Sequence, residues 1–138
     1  MREDPVGLSQ FITQGDIVRD QFDWGEAGWV SRPELTGSRA LCVMDVTLAP
    51  GAGHPFHRHP DQEEVIWVRE GRVEQWLEDE KRELGPGEAV YIEKDVVHGS
   101  FTLGDEPAKL TVILSPTAGE GGYEVIDVFE EEPWASLR

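Results

Sequence analysis

Four residues have the types and the spacing to hold one divalent metal ion: His57, His59, Glu64 and His98. Successive side chains of an extended strand point to opposite faces, so His57 and His59 project from one face while Arg58 points the other way. Two imidazoles then converge on one point. Pro60, Asp61 and Gln62 supply turn chemistry, and the chain re-enters a strand at Glu63 or Glu64, where a carboxylate meets the two histidines from the neighbouring strand. After the turn-like Glu93-Lys94-Asp95, Val96, Val97 and His98 open another run and bring a third imidazole from a distant part of the chain. Histidine and carboxylate donors suit iron, manganese, nickel and zinc. Four protein donors close a tetrahedral zinc site, whereas an octahedral ion such as iron or manganese keeps positions open for water, substrate or dioxygen.

The elements that must position these donors read as β-structure. Turn signals recur at Ala49-Pro50-Gly51-Ala52-Gly53, Gly85-Pro86-Gly87, Gly104-Asp105-Glu106-Pro107 and Gly119-Glu120-Gly121-Gly122, and between them lie β-rich runs at 41–48, 64–69, 73–77, 89–92 and 110–114. Short strands at fairly regular spacing indicate an all-β sandwich or barrel. No segment carries the long 3.6-residue apolar stripe of a helical crossover, so any helix is short. The first forty residues set Phe22, Trp24 and Trp29 among Gly, Pro and charge and are expected to form loops and edge strands. The run 124–129 gives one more strand, and Trp134 is expected to dock against the domain or a second subunit.

The segment Gly51-x5-His57-x-His59-x4-Glu64-x6-Gly71 resembles the first motif of the cupin superfamily without a gap. The resemblance implies that those two histidines and that glutamate bind the metal. The second motif of the family, Gly-x5-Pro-x-Gly-x2-His-x3-Asn, is matched here at Gly87 and His98, while Glu93, Asp95 and Thr102 stand where the pattern has proline, glycine and asparagine. Glu64 rather than Glu63 keeps the spacing to Gly71, and it shares a strand face with Ile66 and Val68, whereas Glu63 shares one with Val65 and Trp67. The implied fold is a single double-stranded β-helix, a jelly-roll barrel of six to eight strands with short or no helices. Residues 1–138 then form one cupin domain, with loops and edge strands over 1–40, the motif-bearing core over 41–115 and a terminal strand and tail over 116–138.

By strand parity, Gln75 lies on the face of Val73 and Leu77, and Ser100 on the face of His98, so both are candidates for polar groups inside an otherwise apolar cavity. Trp67, Trp76, Tyr91 and Phe101 are candidate cavity aromatics, although alternation turns Trp67 away from Glu64. His54 follows Gly53 in a turn and is out of parity with His57, which makes it a loop histidine rather than a fifth ligand.

Composition bounds the partners. The 138 residues carry 28 Asp and Glu against 12 Lys and Arg, a formal charge of -16, which repels phosphate backbones and anionic lipid. Small molecules are the expected partners, and the acidic runs at 78–83 and 130–132 read as solvated faces. The single cysteine, Cys42, lies in the apolar stretch 40–46, forms no internal disulfide and reads as a buried hydrophobe. The start at Met1-Arg2-Glu3-Asp4-Pro5 lacks a signal-peptide pattern and no apolar run is long enough to span a bilayer, so a cytoplasmic protein is expected.

The resemblance implies an enzyme acting on a small oxygen-containing molecule, of dioxygenase, decarboxylase or isomerase type, with Glu64 as ligand or proton acceptor. The alternative is a non-catalytic barrel that holds a small ligand or a metal. Family members commonly associate through their sheets, and tryptophans in edge-like segments give apolar surface for a homodimer.

Overall fold

A computed structural model describes residues 8–138, so the start at Met1 to Pro5 lies outside the described residues. Alternation of apolar and polar residues builds the sheets. In β3 (Cys42–Leu48) the residues Cys42, Met44, Val46 and Leu48 are buried, and in β10 (Ala108–Ser115) so are Ala108, Leu110, Val112 and Leu114. With β1 (Arg19–Phe22), β2 (Gly25–Ser31), β5 (Glu63–Glu70) and β8 (Ala89–Ile92) these form a six-stranded antiparallel sheet in the order β1-β2-β3-β10-β5-β8. The second sheet, also antiparallel, is built from β4 (Gly53–Arg58), β6 (Arg72–Leu77), β7 (Glu80–Leu84), β9 (His98–Leu103) and β11 (Ile126–Asp127) in the order β11-β4-β9-β6-β7. The main core lies where their inner faces meet, the arrangement of a β-sandwich or jelly roll.

Among the described residues, two single-turn α-helices, α1 (Pro33–Thr36) and α2 (Trp134–Leu137), and a 3-10 turn at Gln14–Asp16 interrupt the β-structure. No helix among the described residues is long and apolar enough to cross a membrane. The turn signals fall between strands as expected, but the eleven strands among the described residues exceed the six to eight anticipated. β7 is fully exposed along most of its length, and its charges guard a sheet edge. The run at 124–129 shrinks to the two-residue β11.

The N-terminal segment also departs from expectation, because β2 is not an edge. It lies between β1 and β3 and places Ala27 and Trp29 in the core. A second cluster of Phe56, Trp76, Val97 and Val128 forms on the outer face of the second sheet, covered by Trp134 and Leu137 of the tail. Trp134 therefore docks within its own chain, and its indole N–H donates to the Glu78 carbonyl at 3.2 Å.

Two glycines are required by close approach. Gly25 has φ +143°, and a Cβ there would meet the Thr47 carbonyl oxygen at 1.9 Å. The hairpin turn before it is thus pressed onto β3, and the Ala49 N–H donates to the Trp24 carbonyl at 2.8 Å. At Gly53 a Cβ would lie 2.7 Å from the Ser100 carbonyl oxygen, which seats β4 tightly on β9.

Candidate metal centre

His57 leaves the second sheet from β4, His59 follows just beyond that strand, and His98 opens β9 directly opposite His57. All three are buried, as is Glu64 on the inner face of β5 in the other sheet. One ring nitrogen from each histidine lies within 4.8 Å of the other two. The carboxylate Oε1 of Glu64 lies 2.9 Å from His98 Nε2 and 3.3 Å from His59 Nε2. Arg58 points outward, where it pairs with Asp95 at 2.5 Å. Parity along both strands thus distributes these side chains as the sequence implies.

Each imidazole is held in one tautomer by a backbone carbonyl. The Nδ1–H of His57 donates to Pro55 O at 2.7 Å, that of His59 to Glu124 O at 2.7 Å, and that of His98 to Val96 O at 3.0 Å. A carbonyl only accepts, so the proton sits on Nδ1 and a neutral ring turns an unprotonated Nε2 inward. Such an Nε2 cannot donate to Glu64. Accordingly, Glu64 Oε1 and His98 Nε2 are buried with no hydrogen-bond partner. A buried anion facing lone pairs is costly unless a cation lies between them, and this donor set fits a divalent metal ion.

Without an ion between them, these groups pull one another's charge in opposite directions. Burial, reinforced by His98, His54 and His59, pushes His57 well below the usual imidazole range, which keeps it a neutral donor. Burial works against a charge on His59 too, but the Glu64 carboxylate prevails and raises it. Burial would likewise raise Glu64, yet His98 and His59 beside it hold its carboxyl well below the ordinary range. The carboxylate stays ionised and demands positive charge from its neighbours.

Around these donors the cavity is lined mainly by apolar side chains, including Met44, Leu48, Ile66 and Val112, and it is small, with about 40 Å³ of free space. Ser100 lines it. Gln75 is buried one step behind, accepting a 2.6 Å hydrogen bond from the Ser100 hydroxyl, and faces a different hollow near Leu77 and Leu84. The four candidate aromatics are absent from this cavity: Trp76 and Phe101 pack on the outer face of the second sheet, while Trp67 and Tyr91 are exposed on the outer face of the first. The wall is instead supplied by Trp24 and Tyr123.

His54 also corrects its expected place. It lies in β4 rather than in a turn, and a register shift between His54 and His57 cancels the parity difference. Its ring stacks on His57 at a centroid distance of 3.7 Å and lines the cavity. Burial and His98 lower its pKa to about 3, so it is neutral.

Asp95 takes a left-handed φ of +65° at the motif position where the family pattern has glycine, a conformation that aspartate tolerates better than most residues. Its N–H donates to the His59 carbonyl at 2.9 Å, so the turn keeps its hold on the site.

Gln62 is a positioning residue that sequence reasoning placed only in a turn. Its buried amide donates to Pro116 O at 2.8 Å and Gly122 O at 3.0 Å, and its oxygen accepts from Glu124 N–H at 3.1 Å. It therefore ties down the segment that delivers Tyr123 and the carbonyl orienting His59. Gln62→Ala is expected to cost about 3 kcal/mol by stranding these buried groups, read as a lowered denaturant midpoint, and to weaken metal binding about tenfold. An unchanged midpoint would show that the segment holds without it.

The family model for the cupin domain, Cupin_2, matches residues 44–114. The polyketide synthase CurC of Streptomyces cyaneus is 37% identical over 103 residues, 75% of this chain and 67% of that protein. The pectin degradation protein KdgF of Dickeya dadantii is 32% identical over 101 residues, 72% of this chain and 91% of that one. The structure of KdgF from Halomonas sp. superposes with a TM-score of 0.67 at 24% identity, covering 79% of this chain and 96% of that chain. With its two antiparallel sheets and a histidine cluster between them, the chain belongs to the cupin family as a small member.

Proposed function

We propose that this cupin is a metal-dependent enzyme acting on a small oxygen-containing organic molecule, by chemistry of the dioxygenase, decarboxylase or isomerase type, with His57, His59, Glu64 and His98 as the metal ligands. The observation that carries this reading is the set of three carbonyl-locked imidazoles facing a buried, partnerless carboxylate oxygen at the base of an apolar cavity. A bound divalent ion, iron or manganese in preference to zinc or nickel, supplies Lewis-acid polarisation of a substrate oxygen. Glu64 contributes the one anionic donor and is the candidate proton acceptor. Tyr123, whose pKa is raised to about 12 by burial and nearby Cys42 and Glu64, keeps its proton and can donate a hydrogen bond into the cavity. The apolar walls exclude water and strengthen each of these interactions.

The second reading, a binding barrel without turnover, rests on the number of donors, since four protein ligands close a tetrahedral zinc site. Metal analysis of protein purified without an affinity tag, followed by oxygen uptake with carboxylates, phenols and thiols, separates the two. Iron or manganese with substrate-dependent turnover is expected. Stoichiometric zinc with no turnover on any of them supports the closed site instead.

We propose further that the chain forms a homodimer through the outer face of the first sheet. Trp67 and Tyr91 lie there on the paired strands β5 and β8, 49% and 55% exposed, and large exposed aromatics favour association. Light scattering at micromolar concentration is expected to give twice the chain mass, and Trp67→Glu to return a monomer.

A further inference from the structure

A second, wider hollow lies beside the cavity above the histidines. The two share Trp24, His54 and Tyr123 as lining residues, so these three side chains stand where the hollows meet. Phe22 and Phe129 stand at the outer rim, 38% and 40% exposed. The charged residues lining the outer hollow are two carboxylates, Asp23 and Asp127, and neither Lys nor Arg lines either hollow among the described residues.

One wall here is a ladder of four rings. Phe22 stacks on Trp24 at 4.7 Å and 6°, Trp24 on His54 at 5.1 Å and 18°, and His54 on His57 at 3.7 Å and 14°. The ladder is rigidly mounted. The Asp23-Trp24 turn joins β1 to β2, and Gly25 lets it press against β3. Phe22 and His54 both stack on Trp24, so the wall is continuous aromatic surface from the rim to His57. Aromatic rings pack well against a flat guest in offset-stacked or edge-to-face arrangements. An anionic guest would instead meet the negative field of Asp23 and Asp127, with no Lys or Arg to receive it.

Resting on the metal-centre reading above, we infer that the substrate is a flat, uncharged aromatic molecule bearing a hydroxyl or keto oxygen. It is admitted past Trp24, while carboxylates are turned away by Asp23 and Asp127.

The test is equilibrium binding of 2-naphthol and 2-naphthoate at neutral pH, two probes with one ring system and different charge. Binding is followed by calorimetry on protein whose metal content has been measured. Naphthol is expected to bind about tenfold more tightly than naphthoate or better. Trp24→Ala should weaken naphthol by about tenfold. Asp23→Lys, at an exposed position that leaves the fold intact, should tighten naphthoate about threefold while leaving naphthol unchanged. Equal or tighter naphthoate binding by the parent protein overturns the inference, as does full naphthol affinity in a folded Trp24→Ala variant. If circular dichroism shows Trp24→Ala unfolded, the parent preference and Asp23→Lys decide: naphthoate affinity unmoved by the new cation overturns it equally. Metal-loaded protein that prefers naphthoate sinks the substrate class alone. Protein that prefers naphthol but takes up no divalent ion sinks the metal reading alone.

Discussion

His98→Ala is expected to lower divalent-metal affinity by about 100-fold or more, and His57→Ala to do the same, whereas Arg58→Ala keeps its metal. Changes to groups that only orient a ligand already cost roughly 10- to 100-fold, so removing a ligand sets a larger expectation. His98 has no substitute at its position. It is fully buried at the start of β9, its Nδ1 is tied to Val96 O, and its Nε2 is one of the atoms left without a partner. His57 faces it across the β4–β9 pairing and is fixed in the same way through Pro55. Arg58, between two candidate ligands in sequence, makes a half-exposed ion pair with Asp95 on the other side of the strand, worth at most about 1 kcal/mol. Its loss should nudge stability and leave metal content alone. Elemental analysis of the three variants, normalised to folded protein, is the measurement. Metal loss in Arg58→Ala equal to that in the histidine variants would defeat the strand-parity argument for the site.

How much of this was legible in the sequence depended on how the structure departs from regular alternation. His57, His59 and Glu64 obey a period of two along their own strands, so their burial could be read from spacing, and the inward faces of β3, β5 and β10 followed by the same rule. His54 could not be placed this way, because the register shift between it and His57 breaks the period. Parity was right for Trp67, which it turned outward, yet naming aromatics near the motifs as wall candidates failed. Trp76 and Phe101 occupy the opposite faces of their strands from Gln75 and Ser100. The true wall comes from far away in the chain: Trp24 on a hairpin turn mounted by Gly25, and Tyr123 on a segment moored by Gln62. Tertiary hydrogen bonds and close backbone approach set those positions, and neither leaves a periodic trace. The Gly25 contact shows why the N-terminal forty residues looked irregular, since a strand beginning on a glycine demanded by steric fit lacks the usual β-rich start. Similarly, β7 was hidden by its charges, which suit an exposed edge strand as well as they suit a loop.

Glu64→Gln is expected to weaken metal binding by at least about tenfold and to shift preference away from the harder ions, which rely most on anionic oxygen donors. Glu63→Gln should leave metal content unchanged and stability within about 0.5 kcal/mol, as an exposed substitution does. The contrast follows from the pleat, because neighbours on a regular strand cannot both face inward. Glu64 is buried opposite Leu114 and Ile92, while the exposed Glu63 accepts a 2.9 Å hydrogen bond from the Tyr91 hydroxyl on the outer surface. A bulge near Gln62 would have exchanged the two faces. The irregularity in the β5–β10 pairing instead falls between Lys109 and Leu110, at the far end of the strand, so the Glu64 end keeps its register. Glutamine preserves the shape and leaves an oxygen to coordinate, so the charge is what the substitution removes. Metal content and affinity are to be measured for both variants side by side with manganese and zinc. If Glu63→Gln loses the ion while Glu64→Gln retains it, the carboxylate ligand has been misassigned.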